Sequence, residues 1–258
     1  MENTTLLIEM GLLLLAIGAF AGVLAGLLGV GGGIVLVPAF FYAFSALGFD
    51  SPQLMQMCLA TSLATIIVTS LRSLHAHNKK GAVDWAILKT WAIGIVIGAV
   101  LGVLLVSTLR TLTLQLIFGG LAIIVGLYMT FGRNHWRLGQ AMPTGLARAA
   151  LSPLLGFLSV LMGIGGGSFG VPVMSLYNTP IHRAVATAAG FKPIAVAPPF
   201  TIGSVNFVAF GLVVAMTLIT APWGAALAHK TDAVRLKRVF GVFLVLVALN
   251  MLRKAIGA

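Results

Sequence analysis

Apolar positions along this chain fall in long blocks, unlike the alternation of a half-buried strand or the narrow stripe of a soluble helix. Leu6 to Leu28, Trp85 to Val106 and Leu112 to Phe131 are nearly unbroken examples, and most charged residues collect in the short stretches between blocks. Blocks of roughly 20 apolar residues are long enough to cross about 30 Å of hydrocarbon as helices. In that medium every backbone N–H and C=O needs a partner inside the protein. The recurrent blocks therefore predict an all-α fold, a polytopic transmembrane helical bundle.

Composition supports the same class. Hydrophobic residues fill 59% of the 258 positions, charged residues only 8%, and the mean hydropathy is +1.08; an ordinary soluble domain carries roughly 25% charged residues. The first block holds Glu2 and Glu9 in place of a basic leader and is too long for a signal-peptide core, so a retained helix is expected there. The net charge of +11 resides mainly in short loops, where it reports membrane topology and not a nucleic-acid partner. A single cysteine, Cys58, excludes an internal disulfide and a cysteine metal cluster.

One break in the apolar pattern recurs. "GVGGGIVLVP", Gly29 to Pro38, returns as "GIGGGSFGVP", Gly163 to Pro172, at an offset of 134 residues. "LATSLAT" (Leu59 to Thr65) resembles "VATAAGF" (Val185 to Phe191), and "FGGLAIIVGLYM" resembles "FGVFLVLVALNM". The chain reads as a duplication: an N-terminal repeat over 1–132, a cytoplasmic linker over 133–148 and a C-terminal repeat over 149–258, within one membrane domain. Each repeat has five elements. They are expected at 6–28, 38–48, 54–74, 84–107 and 112–131, then at 146–162, 172–178, 184–204, 208–228 and 236–254.

An odd number of crossings per repeat makes the two repeats antiparallel in the membrane. With the loop of Arg72, Lys79 and Lys80 inside, and the glycine-broken elements folded as re-entrant hairpins, Arg133, Arg137, Arg148, Arg183, Lys230, Arg235, Lys237 and Arg238 also fall inside. Arg110, Arg253 and Lys254 fall outside. A parallel arrangement would put the dense "HKTDAVRLKR" loop outside, against the positive-inside bias, so inverted repeats with both termini outside are preferred. Trp85 and Trp136 fit interfacial anchors.

Proline is favoured at the first position of a helix, so Pro38 and Pro172 are expected to start helices, with Gly29 and Gly163 opening the breaks. The amides of Gly31, Gly32 and Gly33, and of Gly165, Gly166 and Gly167, would then lie unpaired at positive helix ends. An anion would satisfy them, and two such breaks related by pseudo-symmetry could share it. The plain alternative is that the glycines only permit close packing or a kink. A dinucleotide or phosphate-loop reading fails, since neither cluster follows a soluble strand or ends in GK[ST].

Hydroxyl residues follow each break: Thr61, Ser62, Thr65, Thr69 and Ser70, then Thr187, Thr201 and Ser204, with Ser168 inside the second break. They could donate to an oxyanion, or bond back to their own helix. Lys192 is the basic residue placed well inside an apolar span, where charge is costly and a functional role is the default reading; snorkelling beside Pro193 is the alternative. No carboxylate occupies a span centre, which argues against a cation site. The histidines lie near span ends without metal-ligand spacing, and His77 and His182 are candidates for gating or proton coupling. No catalytic constellation and no cofactor motif is present, so an enzyme is not expected.

The stretches "GLLGVGGGIVLVP", "ATSLATIIVTSLRSLHAHNKKGAVDW" and "GIGGGSFGVPVM" resemble the sulfite exporter TauE/SafE family, also called the toluene sulfonate uptake permease family, over essentially the whole chain. The resemblance implies a multi-pass transporter of the bacterial cytoplasmic membrane whose partner is a small sulfur-containing anion such as sulfite, thiosulfate or an organosulfonate. A proton is a possible coupling ion. The segment "GFKPIAVAPPFTIGSVNFVAFG" departs from the family pattern in Lys192 and the Pro198/Pro199 pair, which would suit a sulfonate that also carries a carboxylate.

The sequence therefore reads as a secondary transporter holding an anion on Gly31 to Gly33, Gly165 to Gly167, Ser168, Thr61, Ser62, Thr187 and Lys192. The alternatives are a channel-like anion pore, a transporter of small carboxylates, or a membrane enzyme or assembly subunit whose glycine breaks only pack helices. Gly32→Leu and Gly166→Leu are each expected to abolish anion flux in vesicles while leaving a folded protein. Unchanged uptake in both variants would remove the site.

Overall fold

A computed structural model describes residues 2–28, 33–46, 51–79, 81, 83–132, 142–164, 207–228 and 232–257. Among these are eight helices and no strand: α1 (Glu2–Leu28), α2 (Gly33–Ala46), α3 (Leu54–Asn78), α4 (Trp85–Thr108), α5 (Thr111–Phe131), α6 (Gly145–Leu161), α7 (Phe207–Ala228) and α8 (Ala233–Ile256). Four contain apolar stretches long enough to span a bilayer, at Leu54–Leu71, Trp85–Thr108, Thr111–Phe131 and Lys237–Ile256. The protein is a polytopic helical membrane protein.

Most helix bounds fall within a few residues of the sequence expectation. The second element is the exception. Expected to start at Pro38, it starts at Gly33 and carries Pro38 as an interior residue. Proline there cannot give an N–H to the Ile34 carbonyl, yet Pro153 and Pro222 also sit inside α6 and α7. Membrane helices tolerate this because unpaired backbone costs more in lipid than in water and neighbouring groups restore the lost bond. Extending α2 back to Gly33 pairs more of its backbone than a start at Pro38 would. The elements expected at 172–178 and 184–204 lie outside the described residues.

Nearly every helix is apolar all round, so polarity cannot sort the inner face from the outer; side-chain size does it instead. On α4, Ile93, Ile97, Leu101 and Leu104 face outward, while Gly94, Gly98 and Gly102 lie against α6. Gly98 abuts the Pro153 carbonyl, Gly94 abuts Ser152, and Gly156 of α6 returns the contact on Ile95. The same device joins α1 to α7, where Gly18 meets Val213, Gly22 meets Thr217 and Thr220, and Gly224 meets Val23. It joins α5 to α8 through Gly119 on Leu252 and Gly126 on Gly241 and Val245. These three pairs are the most extensive helix contacts among the described residues.

The contacts also fix directions. Residue numbers rise together across α1/α7 and across α4/α6, so each pair runs parallel; they run oppositely across α5/α8, which is antiparallel. Helices α3, α4 and α5 follow as consecutive hairpins. Gln56, near the start of α3, donates through Nε2 to the carbonyls of Val106 (3.1 Å) and Leu109 (2.7 Å), capping the end of α4. Lys254, at the end of α8, reaches Ser45 near the end of α2. Four residues separate α7 from α8, at most about 18 Å of chain, so α7 ends where α8 begins.

The opposite turn explains "GAVDW" physically. Gly81 takes φ +62°, a left-handed conformation suited to glycine. Asp84 caps α4 by accepting from the amides of Ala86 and Ile87, and Trp85 Nε1 donates to Asn78 Oδ1 at 3.0 Å.

Adding one methyl group separates the two kinds of glycine. Gly98→Ala is expected to destabilise by about 1–3 kcal/mol because its Cβ would overlap the Pro153 backbone. Gly120→Ala, which meets open space, is expected to stabilise by about 0.4–1 kcal/mol. Thermal unfolding in detergent micelles distinguishes them.

Candidate functional site

Helix α6 stops inside the bundle, and its last turn shows how. The Ile164 N–H donates to the Ser159 carbonyl at 2.9 Å and the Gly163 N–H to the Val160 carbonyl at 2.8 Å. With Gly163 at φ +57°, these bonds form a Schellman stop that satisfies carbonyls the helix end would otherwise orphan. Ile164 and Met162 are fully buried beside it.

The stop frees the Gly163 carbonyl to face α3 and α2. Ser62 Oγ donates to it at 2.7 Å across 101 residues of sequence, with both partners buried. Gly33, the first residue of α2, packs against the same carbonyl, the Ile164 backbone and the Ile66 side chain. Ile66 is the central residue of α3, twelve from either end. The end of α6 and the start of α2 thus meet halfway along the third helix. Val37 and Leu59 close over Gly163.

Among the described residues, the chemistry at this junction is dipolar and uncharged. The described part of α2 begins at Gly33, against the Gly163 carbonyl that Ser62 bonds. Thr61, Ser62 and Thr65 are all fully buried. Thr65 Oγ1 donates to the Thr61 carbonyl at 2.8 Å, and Ser70 Oγ to the Ile66 carbonyl at 2.5 Å, which is the back-bonding alternative for hydroxyls in membrane helices. Ser62 differs by reaching another helix.

Of the residues singled out in the sequence, Gly33, Ser62 and Gly163 converge here, and Thr61 is buried next to Ser62 on α3. Pro38 lies within α2 instead of beginning it, and His77 falls in the last turn of α3, away from the junction along the helix. Gly29, Gly31, Gly32, Gly165, Gly166, Gly167, Ser168, Pro172, His182, Thr187 and Lys192 lie outside the described residues. Sequence reasoning placed the end of this helix at 162 and the break at Gly163, but missed the left-handed turn at Gly163 that makes the stop. It also missed the Ser62 partner, which no local pattern encodes.

The helical architecture defines a polytopic membrane protein. The Sulfite exporter TauE/SafE family model matches residues 14–251, and the chain belongs to that family. It is 30% identical to a probable membrane transporter protein of Haemophilus influenzae, over 94% of this chain and 98% of that one. It is 26% identical to the probable membrane transporter protein YunE of Bacillus subtilis, over 95% and 98%. A probable membrane transporter protein of Methanocaldococcus jannaschii is 28% identical over 70% and 68%. No solved structure matches the chain. The protein is accordingly a multi-pass membrane transporter and not an enzyme.

Two substitutions test the junction as built. Ser62→Ala strips the buried Gly163 carbonyl of its donor and is expected to cost about 1–3 kcal/mol. Gly163→Ala forces a left-handed alanine and adds a further cost of about 1–2 kcal/mol at the same stop. Both should lower the unfolding temperature in micelles, and an unchanged transition in Ser62→Ala would mean the bond contributes nothing.

Proposed function

We propose that this transporter moves a small sulfur-containing oxyanion across the bacterial cytoplasmic membrane as a secondary transporter. Sulfite, thiosulfate and organosulfonates such as sulfoacetate are the substrate class. The observation that carries the reading is the meeting of the α2 start with the α6 end halfway along α3. A helix start buried in an apolar bundle offers amides and a positive dipole to an anion without requiring a full charge from the protein at that point.

Inverted repeats over 1–132 and 149–258 fit the helix directions. Under the duplication, α1, α4 and α5 correspond to α6, α7 and α8. Each member runs opposite to its counterpart, and the pairs α1/α7 and α4/α6 exchange partners as a two-fold relation requires. Charge agrees with the orientation, since Lys79, Arg148 and Arg238 belong to one end of the bundle and Arg110, Arg253 and Lys254 to the other. In this reading Gly31 to Gly33, Gly165 to Gly167, Ser168, Thr61, Ser62 and Thr187 surround the anion, and Lys192 supplies positive charge. Rocking of one set of pairs against the other would expose the site alternately to each side.

The test is flux into liposomes holding the purified protein, with sulfite, sulfate, thiosulfate, sulfoacetate and simple carboxylates offered with and without a pH gradient. Saturable transport of the sulfur oxyanions is expected. Flux that never saturates would replace the transporter with a pore, and a preference for neutral or cationic solutes would overturn the proposal.

A further inference from the structure

At the end of the bundle that carries Arg110 and Arg253, helices α2, α3, α5 and α8 border a second feature, open on one side. It is a cavity of about 410 Å³ lined by Phe41, Pro52, Leu54, Thr111, Gln115 and Lys254, among others. Small-molecule sites commonly fall between about 300 and 1,000 Å³. Leu54 stands eight residues before Ser62 on α3, about 12 Å of helix rise, so the cavity is separate from the glycine junction.

The polar groups around it are unevenly satisfied. Thr111 is spent on the fold: its hydroxyl donates to the Pro52 carbonyl at 2.8 Å and accepts the Met55 N–H at 3.1 Å. Gln115 is not spent. It is 5% exposed, lines the cavity, and its side chain makes no hydrogen bond among the described residues. Its amide is not among the buried atoms left without a partner, so it opens onto the pocket and can bond a guest there. Lys254 uses one of its three donors on Ser45 Oγ at 2.8 Å and lies 5.1 Å from the centre of the Phe41 ring, with no carboxylate against it among the described residues.

An ammonium with donors to spare and an unpartnered amide therefore share one cavity, and its remaining wall is largely apolar. A cation is disfavoured by Lys254, and a purely apolar guest would leave Gln115 unpaired. We propose that this cavity is a second binding site for an organic oxyanion. Sulfonate, carboxylate or phosphate oxygens accept from Lys254 Nζ and the Gln115 amide, and the apolar body of the ligand lies against Phe41, Pro52 and Leu54. The oxyanion has two possible sources, a free organic anion and the headgroup of an anionic lipid at this end of the bundle. The proposal stands independently of what binds at the glycine junction.

The experiment uses the full chain in nanodiscs of zwitterionic lipid, titrated with benzenesulfonate and with its uncharged analogue methyl phenyl sulfone, followed by calorimetry. Benzenesulfonate is expected to bind and the sulfone not. Lys254→Gln and Gln115→Leu are each expected to weaken binding by about tenfold or more, since hydrogen bonds to charged groups are among the stronger ones. Lys254→Arg should retain it. Equal binding in Lys254→Gln, Gln115→Leu and the unmodified protein, with all three unfolding at the same temperature, overturns the proposal, as does equal binding of the sulfone. Adding phosphatidylglycerol assigns the source. Displacement of benzenesulfonate, lost in Lys254→Gln, supports the site with a lipid headgroup as occupant. Retention supports it with a free anion.

Discussion

Two helices end within the apolar interior of this bundle, and the arrangement of the other helices follows from how those ends are satisfied. Water cannot serve the orphan carbonyls of α6, so Gly163 adopts a left-handed conformation and the last turn closes on itself. The carbonyl left over accepts from Ser62 of α3, and Gly33 at the start of α2 packs closely against it. A side chain at either glycine would part these elements. Helix α3 consequently serves as the post against which both broken elements rest, with Ser62 donating across and Thr65 and Ser70 bonding back to α3 itself.

The sequence was most legible where physics acts on a local stretch. Apolar blocks revealed the spanning helices, because hydrocarbon thickness sets their length, and the bounds of α4 and α5 match expectation closely. The broken elements were less legible. Proline signals a helix start in water, but within a bundle the greater cost of unpaired backbone carries α2 back to Gly33 and leaves Pro38 inside. Gly163 was chosen as part of a break, which it is, yet its immediate duty is to end α6. Ser62 was singled out as a hydroxyl, but its partner lies 101 residues away and nothing near it announces the fact.

Which helices pair was illegible for a different reason. Helices that are apolar on all sides carry no amphipathic stripe, so hydropathy does not point inward. The information resides in volume: Gly94, Gly98 and Gly102 on one face of α4, isoleucines and leucines on the other. Read that way, glycine spacing on α1 and α4 marks the closest helix seams.

Those seams have a consequence for the order in which the protein is made. Gly18 of α1 meets Val213 of α7, 195 residues later in the chain. At ribosomal rates of about 5–20 residues per second, α1 waits roughly 10–40 s in the membrane before its partner is synthesised. A seam of buried charges or amides would spend that interval unsatisfied in lipid and recruit whatever polar segment was nearest. A seam of glycines exposes only a shallow apolar groove that lipid chains can fill and vacate. The nascent N-terminal helix can therefore stand alone without mispairing, and a bundle whose first helix depends on its penultimate one can assemble in the order it is translated.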